Sequence, residues 1–277
     1  MLMAAERLNK IKMIVCDIDG TLLNNSGQID IVNKRAIEKL KQKNIIFTLA
    51  SGRIHFSVLK FANELYLDAP LISLDGLMIK SVEGRVYYRN LIPQKTVKKI
   101  INICNKLGAI PAITTSEGSY IKQNENSSIE IKKAGAGSVY VDDLSEYYKN
   151  ALEMNVISER KEIVTYLRNK FSFPFSFNYS ARIYKSENSL NYNLEIRKKK
   201  SDKARALVKL CKILNIKLCE CAVICDWYND IPLFNTKALK IALANSIDEL
   251  KNNADIVTSK SNEENGVAEF IEMIFCE

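Results

Sequence analysis

The chain has 277 residues, of which 47% are hydrophobic and 26% are charged, so it can bury one large core or two modest ones. That composition excludes disordered and fibrous proteins. No apolar run reaches the roughly 18 residues that a membrane-spanning helix needs, and Glu6, Arg7 and Lys10 interrupt the N-terminal stretch where a signal peptide would be apolar. We therefore expect a cytoplasmic protein with no membrane partner.

The 40 basic and 32 acidic residues leave a formal net charge of +8, which favours anionic partners such as nucleic acid or phosphorylated small molecules. The dense basic run at residues 197–200 has no aromatic residues between its charges. A solvated turn is therefore favoured over a surface that stacks bases. We infer no nucleic-acid partner and no obligate protein partner.

The seven cysteines and the single histidine limit the available chemistry. An odd number of cysteines, several of them within apolar segments, argues against a disulfide framework and is typical of a reducing compartment. Cys219, Cys221 and Cys225 are close enough for a thiolate metal site but lack a second pair, so buried thiols are favoured. Because His55 is the only histidine, multi-histidine mechanisms are disfavoured. We interpret His55 as a partly exposed structural or substrate-neighbouring residue.

Strand-like apolar runs alternate with helical patterns at the beginning of the chain. Each run ends at a polar residue, which is Asp17, Ser51 or Asp75. The predicted strands are residues 11–16, 45–50 and 71–74, and helical patterns follow the first two. Such alternation predicts an α/β, doubly wound parallel sheet with a Rossmann-like core, whose ligand site lies beyond the carboxyl ends of the strands.

The same pattern returns after residue 200. A helix is predicted from Ser201, and a strand at residues 222–225 ends at Asp226. A further strand is predicted at residues 239–244, and residues 246–249 resemble the capping box of another helix.

The middle of the chain has helices and strands of its own. A helical pattern at residues 97–104 precedes alternating runs, and phenylalanines at every second position of residues 171–177 predict a half-exposed strand. A glycine-containing segment lies at residues 134–137. We therefore predict a discontinuous core of residues 1–85 and 191–277, interrupted by an inserted α+β domain of residues 86–190.

Two carboxylates, Asp17 and Asp19, follow the first predicted strand, and Gly20 lets the backbone turn sharply towards a ligand. Two close carboxylates repel each other and need a cation, and Mg²⁺ prefers hard oxygen ligands of this kind. Once metal and phosphate are bound, one aspartate can attack phosphorus while the other protonates the departing oxygen. An ordinary Asp-Gly turn is the alternative.

Four ordered motifs resemble those of the haloacid dehalogenase superfamily of phosphohydrolases, specifically its Cof-type branch (subfamily IIB), over nearly the whole chain. The motifs are Asp17-Ile18-Asp19-Gly20-Thr21-Leu22-Leu23, Ser51-Gly52-Arg53, Lys203 and Asp226-Trp227-Tyr228-Asn229-Asp230. The resemblance implies that Asp17 is the catalytic nucleophile and that Asp19 is the general acid and base. The phosphate-binding residues that it implies are Ser51, Gly52, Lys203 and Asn229. Arg53 either contacts substrate or forms a surface pair.

Asp226 ends a predicted strand as Asp17 does, and it would complete a Mg²⁺ site with Asp17 and the backbone carbonyl of Asp19. Asp230 is better suited to orient Lys203 or a metal-bound water than to bind the metal. The resemblance implies a Mg²⁺-dependent phosphatase that hydrolyses a small phosphorylated metabolite, first a sugar phosphate, through an aspartyl-phosphate. The inserted domain would be an α/β cap that closes over the site and sets specificity.

Four positions depart from the pattern of the branch. Ser51 stands for threonine and preserves the hydroxyl, and Cys225 stands for glycine and is small enough for a packed strand end. Trp227 stands where glycine is usual, and Asp75-Gly76 stands where Asn-Gly is usual. A bulky residue at position 227 would be strained at positive φ, and Asp75 either disfavours phosphate or engages a positively charged part of the substrate. The alternative function is a non-catalytic protein that binds a phosphorylated ligand with a degraded fourth motif, although Asp17 and Asp19 favour the enzyme.

Overall fold

The computed structural model describes residues 6–123, 138–172, 174–185 and 190–276. Its strands, in chain order, are β1 (Met13–Cys16), β2 (Ile46–Leu49), β3 (Leu71–Ser73), β4 (Met78–Lys80), β5 (Val86–Arg89), β6 (Ile110–Thr114), β7 (Ser119–Lys122), β8 (Ser138–Val141), β9 (Glu153–Ser158), β10 (Tyr179–Lys185), β11 (Tyr192–Lys198), β12 (Cys221–Cys225), β13 (Leu239–Ala242) and β14 (Ile256–Val257). Its α-helices are α1 (Ile31–Lys39), α2 (His55–Glu64), α3 (Gln94–Leu107), α4 (Lys161–Lys170), α5 (Lys203–Leu214), α6 (Ile231–Phe234), α7 (Asp248–Asn253) and α8 (Gly266–Met273).

The chain divides into two compact units. The first comprises Met1–Tyr88 and Asp202–Glu277, and the second comprises Arg89–Ser201. β11 pairs with β9 and β10, so it belongs to the second unit and not to the core. The second boundary therefore lies at residue 201, where the sequence predicted it at residue 190.

The first unit contains a parallel five-stranded sheet with the order β14-β13-β12-β1-β2. Every residue of β1 and β12 is buried, which explains why both read as continuous apolar runs. Cys16 pairs with Leu49 on one side and with Ile224 on the other, so Asp17 and Asp226 follow neighbouring strands at the same edge of the sheet. The predicted α/β Rossmann-like core is confirmed.

Helices cover both faces of this sheet, as the doubly wound arrangement requires. Successive side chains of a strand point to opposite faces. Ile14 and Cys16 of β1 accordingly pack in a cluster with α1, α2 and α8, whereas Met13 and Val15 pack in a cluster with α5 and α6. Among the described residues, no helix is long and apolar enough to cross a membrane.

The second unit contains a six-stranded sheet with the order β10-β11-β9-β6-β7-β8. Met154 and Leu194 on one face pack with α3 and α4. The strand that the sequence predicted at residues 171–177 does not form, because the described residues of this stretch are turns and bends. Phe171 is buried where α4 ends, and Pro174 has no N–H for a strand ladder. Residues 134–137 lie outside the described residues.

Two interpretations of single residues are wrong. Arg197 lies within β11, where its guanidinium pairs with Glu153 at 2.6 Å and with Glu195 at 2.9 Å, so it is not part of a solvated turn. His55 is 2% exposed at the first turn of α2, where partial exposure was expected. In both cases packing of distant elements decides the environment, and single-sequence periodicity does not show it.

All seven cysteines are free thiols, and the sequence pattern had argued against a disulfide framework. Cys221 and Cys225 are buried in β12. Cys219 is exposed, so the expectation of a buried thiol is wrong at that position. It lies in a short 3₁₀ turn before β12 and not in the strand.

Candidate active site

The loops that follow β1 and β12 bring two buried carboxylates to one edge of the sheet. The amide of Asp17 donates to the carbonyl of Ile224 at 3.0 Å, which continues the ladder between the strands. The carbonyl of Asp226 accepts from the amide of Ile247 at 3.0 Å. Both aspartates are only 6% exposed. Strand register therefore fixes the two backbones, and each carboxylate must find its partners inside the protein.

Lys203 lies between two of the buried carboxylates. It is the first residue of α5 and has no solvent exposure. Its Nζ donates to Oδ1 of Asp17 and to Oδ1 of Asp230, each at 2.6 Å. Burial alone would lower the pKa of Lys203, but the two carboxylates outweigh burial and raise that pKa above its ordinary value. The ammonium therefore stays charged, and it contacts Asp230, which was expected to orient Lys203 or a metal-bound water.

The carboxyl groups have unusually high pKa values. Burial raises the pKa of Asp17 from 3.8 to about 7, with a further rise from Asp230 and an opposing effect from Lys203. Burial likewise raises the pKa of Asp226 to about 7, against the hydrogen bond from Thr21. Burial also raises the pKa of Asp230, and Lys203 opposes that rise. One ammonium does not compensate three buried carboxyl groups, so the site favours a further cation or a proton.

Asp17, Asp226 and Asp230 form an acidic group that could hold a metal ion. Each residue offers a carboxylate oxygen, and these atoms lie within 4.8 Å of one another. Buried oxygen ligands with an uncompensated negative charge suit a hard divalent cation. Both oxygens of Asp230 already accept hydrogen bonds, from Lys203 at 2.6 Å and from the amide of Trp227 at 3.4 Å. The residues therefore fit a metal, with Asp17 and Asp226 as the carboxylates best able to bind it.

The carboxylate of Asp19 has a different neighbour. Its two oxygens accept hydrogen bonds from Arg53, from Nε at 2.8 Å and from Nη2 at 2.5 Å. The hydrogen bond to Asp19 raises the pKa of Arg53, while burial opposes the rise. The Asp19 side chain is 57% exposed, in contrast to Asp17. Arg53 therefore forms an ion pair with Asp19.

Gly20 and Thr21 fit the first loop against Asp226. Gly20 has φ of +75°, and a Cβ atom there would lie 2.2 Å from Oδ2 of Asp226, so a larger residue would strain the backbone and displace this carboxylate. The completely buried Thr21 donates from Oγ1 to Oδ1 of Asp226 at 2.6 Å. Sequence reasoning included Thr21 in the first motif but gave it no role. The available signal was a hydroxyl placed directly after the glycine of that motif.

Three of the residues expected to bind phosphate are Ser51, Gly52 and Asn229, and their contacts differ from those of Lys203. Ser51 is 1% exposed, and its Oγ accepts from the amide of Arg53 at 3.2 Å. A Cβ atom at Gly52 would lie 3.2 and 3.3 Å from the carboxylate oxygens of Asp75. Asn229 donates from Nδ2 to Oδ1 of Asp75 at 3.2 Å. The structure therefore brings Gly52 and Asn229 together at Asp75.

The sequence of this chain matches a known family. The family model of haloacid dehalogenase-like hydrolases matches residues 14–271. The chain belongs to this family. Phosphatase YwpJ of Bacillus subtilis is 25% identical to it over 284 residues, covering 93% of this chain and 98% of that protein. The 5-amino-6-(5-phospho-D-ribitylamino)uracil phosphatase YwtE of the same organism is 28% identical over 284 residues, covering 95% and 98%.

A solved structure of a Thermotoga maritima protein is 30% identical and has a TM-score of 0.78, covering 95% of this chain and 97% of that one. The predicted membership of the Cof-type branch is thereby confirmed. Since the relatives are phosphatases by name and match over their full length, the chain is a phosphatase of the haloacid dehalogenase-like family.

The departure from the family pattern at Trp227 causes no backbone strain. Trp227 has φ of −129°, which is extended backbone open to any residue. Its indole ring lies 5.3 Å from the ring of Tyr228 in an edge-to-face arrangement, and both side chains are more than half exposed. The loop can therefore present Asp226 beside Asp17 without glycine.

Several residues of the haloacid dehalogenase-like site were missed by sequence reasoning. Asn245 donates from Nδ2 to the carbonyl of Gly20 at 2.8 Å, and its Oδ1 accepts from the amide of Asn262 at 2.9 Å. Asn262 in turn donates from Nδ2 to the carbonyl of Leu23 at 2.9 Å. These bonds fix both ends of the loop after β1. No periodicity marks asparagines that serve a loop so far away in the sequence.

The capping box predicted at residues 246–249 does not form. Ser246 instead donates from Oγ to the carbonyl of Cys225 at 2.8 Å and accepts from the amide of Leu243 at 2.8 Å. α7 begins after Ile247 without a side-chain cap. Ser246 therefore connects β13 to the end of β12, next to Asp226, and a tertiary contact has replaced the local one.

Proposed function

We propose that this phosphatase is Mg²⁺-dependent and hydrolyses a small phosphorylated metabolite through an aspartyl-phosphate on Asp17. The observation that carries the proposal is the buried contact of Asp17 with Lys203, beside Asp226. A buried carboxylate held by an ammonium is a fixed nucleophile at the carboxyl end of a strand. The same group of residues compensates the charge of a phosphoryl group.

In the first step, a carboxylate oxygen of Asp17 attacks phosphorus, and the bond from phosphorus to the leaving-group oxygen breaks. Asp19 donates a proton to that oxygen, and the alcohol departs. In the second step, water attacks the phosphorus of the aspartyl-phosphate while Asp19 takes its proton. Inorganic phosphate leaves, and Asp17 is regenerated. The ion pair with Arg53 holds the carboxylate of Asp19 in place.

Lys203 has two functions in this proposal. Its ammonium opposes the rise in the pKa of Asp17, so it increases the ionised fraction of the nucleophile near neutral pH. It also compensates the negative charge that develops on the phosphoryl oxygens. Asp230 holds Lys203 in place from the other side at 2.6 Å.

Mg²⁺ would be held by the carboxylates of Asp17 and Asp226 and by the backbone carbonyl of Asp19. When bound, the ion compensates negative charge on the phosphoryl group. Asp226 is oriented for this function by Thr21. Ser51 accepts the Arg53 amide and so can direct its own O–H towards a phosphoryl oxygen.

A phosphate ester of a sugar or polyol is the substrate class we propose. The name of the Bacillus subtilis relative YwtE describes the phosphate ester of a ribityl chain. In this chain, the exposed rings of Trp227 and Tyr228 directly follow Asp226 and would form an apolar wall beside the leaving group. We assign selection among such esters to the second unit, Arg89–Ser201.

The test is phosphate release from a panel of sugar, polyol and nucleoside monophosphates, with Mg²⁺ and with a chelator. We expect Mg²⁺-dependent release from at least one sugar or polyol phosphate, and a loss of at least about 10³-fold in Asp17→Asn, which keeps the shape of the side chain. Near-normal turnover by Asp17→Asn would exclude the aspartyl-phosphate. Equal activity in the chelator would exclude the metal.

A further inference from the structure

The proposed reaction gives Asp75 no function, yet its carboxylate lies among residues expected to bind phosphate. Its Oδ1 accepts from Nδ2 of Asn229 at 3.2 Å. Its two oxygens lie against Gly52, at 3.2 and 3.3 Å from the position of a Cβ atom there. Its amide donates to the carbonyl of Ser51 at 3.0 Å. A negative charge beside an anion site weakens phosphate binding unless it has a compensating effect.

The backbone holds this carboxylate in place at an energetic cost. Leu74, Asp75 and Gly76 have φ values of 51°, 48° and 89°, three successive residues in the left-handed region. The amide of Leu74 donates to the carbonyl of Arg53 at 2.9 Å. A Cβ atom at Gly76 would lie 2.3 Å from the carbonyl oxygen of Asp202, the residue before Lys203.

The turn is therefore fixed on one side by the loop that contains Ser51 and on the other by the beginning of α5. Asparagine and aspartate are the non-glycine residues that tolerate such a backbone best. Both would satisfy the turn at position 75, so the backbone alone does not require the charge of Asp75.

The hydrogen bond with Asn229, in contrast, gives a reason for the charge of Asp75. An ionised carboxylate only accepts hydrogen bonds, so it is satisfied by the NH₂ group of Asn229 and not by its carbonyl oxygen. An amide at position 75 could accept or donate, and Asn229 could then face it with either end. With Asp75, one N–H of Asn229 is bound to the carboxylate, and the other remains on the same nitrogen to donate elsewhere.

We propose that Asp75 is a positioning residue that fixes the side-chain amide of Asn229 so that its second N–H donates to the phosphoryl group. This inference rests on the proposed function, in which Asn229 binds phosphate. It gives the charge of Asp75 a purpose, because an acceptor-only partner allows a single orientation of the amide. It also assigns a reason to the aspartate that stands before Gly76.

The test uses three single variants, two at position 75 and one at position 229, with p-nitrophenyl phosphate as the substrate and Mg²⁺ present. Asp75→Gly keeps the left-handed backbone without a carboxylate, Asp75→Asn keeps an acceptor without the charge, and Asn229→Ala removes the amide. We expect Asp75→Gly to raise KM about tenfold with kcat changed less than about threefold, the loss of one charge-assisted hydrogen bond. We expect Asp75→Asn to lie between Asp75→Gly and the wild type.

The double variant Asp75→Gly/Asn229→Ala decides whether Asp75 acts through Asn229. We expect its KM to equal that of Asn229→Ala, because Asp75 has no effect once the amide is absent. If the effects of the two substitutions on KM multiply in the double variant, the inference is overturned. It is also overturned if Asp75→Gly keeps the wild-type KM. The latter result would assign Asp75 to the backbone alone. Thermal unfolding of Asp75→Gly is the folding control, since glycine suits the positive φ.

Binding of inorganic phosphate, measured by calorimetry with Mg²⁺, gives a readout that needs no turnover. We expect Asp75→Gly to bind phosphate about tenfold more weakly than the wild type, and the double variant to match Asn229→Ala. Unchanged phosphate affinity in Asp75→Gly would contradict the positioning role even in a protein without hydrolysis. Full activity of Asp17→Asn would instead contradict the proposed function and leave the phosphate-binding comparison intact.

Discussion

At the scale of single residues, the site depends on a lysine that has no access to water. Lysine is almost never fully buried unless it is paired. Lys203 has two carboxylate partners at 2.6 Å, and each of these partners is itself buried. Removing the ammonium leaves two buried charges without compensation, which costs more than the pair contributes.

Lys203→Met keeps the length of the side chain and removes its charge. At pH 8 we expect this variant to lose about 3–5 kcal/mol of unfolding free energy, because Asp17 and Asp230 remain buried. At pH 5 we expect a smaller loss, since both carboxyl groups have raised pKa values and take up protons more easily. Urea unfolding at the two pH values measures the difference.

Lys212→Met is the matched control, since Lys212 is exposed on the same helix. We expect its unfolding free energy to stay within about 0.5 kcal/mol of the wild type. A loss in Lys203→Met that is equal at both pH values would show that packing, and not charge compensation, is the function of this side chain.

Asp19→Asn tests the proton transfer to the leaving group. Leaving groups of high pKa need a proton in the first step, whereas p-nitrophenolate leaves without one. We therefore expect the rate loss to be smallest with p-nitrophenyl phosphate and to increase as the pKa of the leaving alcohol rises. A series of aryl and alkyl phosphates measures it. An equal loss across the series would leave Asp19 without a role as an acid.

The sequence predicted the residues of the acidic group but not all of their contacts. Asp17 and Asp226 could be found because each ends an apolar run, and ends of parallel strands meet at one edge of a sheet. Lys203 was found only through the family resemblance. The contact of Asn229 with Asp75 had no signal, because it joins two loops whose distance depends on the whole fold.

At the scale of elements, the loop after β1 is fixed by close approach and by positive φ together. Gly20 has φ of +75°, and its position leaves no space for a Cβ atom beside Asp226. Gly27 has a similar φ of +72° but has nothing within 4 Å of a Cβ atom. A comparison of substitutions at the two glycines therefore separates the cost of backbone strain from the cost of the clash with Asp226.

Gly27→Ala is expected to lose about 1–2 kcal/mol of unfolding free energy from the left-handed backbone alone. Gly20→Ala should lose more, because it also displaces the carboxylate of Asp226. We further expect Gly20→Ala, but not Gly27→Ala, to weaken the stabilisation by Mg²⁺. Urea unfolding with and without Mg²⁺ measures both effects. Equal losses in the two variants would show that the contact of Gly20 with Asp226 is unimportant.

The sequence predicted those strands and helices whose apolar residues are buried on one face or on both faces. β12 (Cys221–Cys225) was predicted to within one residue, at residues 222–225, because both of its faces are covered. Residues 171–177 alternate like a strand but end a helix and form turns, because Pro174 breaks the ladder and Phe171 is already buried against the second unit's core. Periodicity describes which side chains seek burial, and tertiary packing decides which of them obtain it.

At the scale of the whole molecule, the insertion point could be predicted only approximately. A change of pattern marks the beginning of the second unit near β5. Its end was misplaced because β11 reads like a core strand, and only its pairing with β9 and β10 assigns it to the second sheet. The consequence for the site is small, since Lys203 follows the corrected boundary and stays in the first unit.

We expect the buried acidic group to couple the stability of the first unit to pH and to added metal. In the unfolded chain, Asp17 and Asp226 release their protons near pH 3.8, whereas in the folded protein both pKa values are about 7. The folded state therefore binds more protons between these values. The unfolding free energy of the metal-free protein should accordingly fall as pH rises from about 4 to about 7, and the contribution of these groups should then be lost.

A divalent cation replaces those protons, so added Mg²⁺ should raise the melting temperature more at pH 8 than at pH 5, where protons compete for the same oxygens. The measurement is thermal unfolding across this pH range in a chelator and in Mg²⁺. Asp226→Asn is the matched variant, because it keeps the hydrogen bond from Thr21 with one titrating group fewer. We expect it to show a shallower loss of stability with pH and a smaller shift with Mg²⁺. A Mg²⁺ shift that is independent of pH and unchanged in Asp226→Asn would place the metal elsewhere and remove the buried carboxylates from its site.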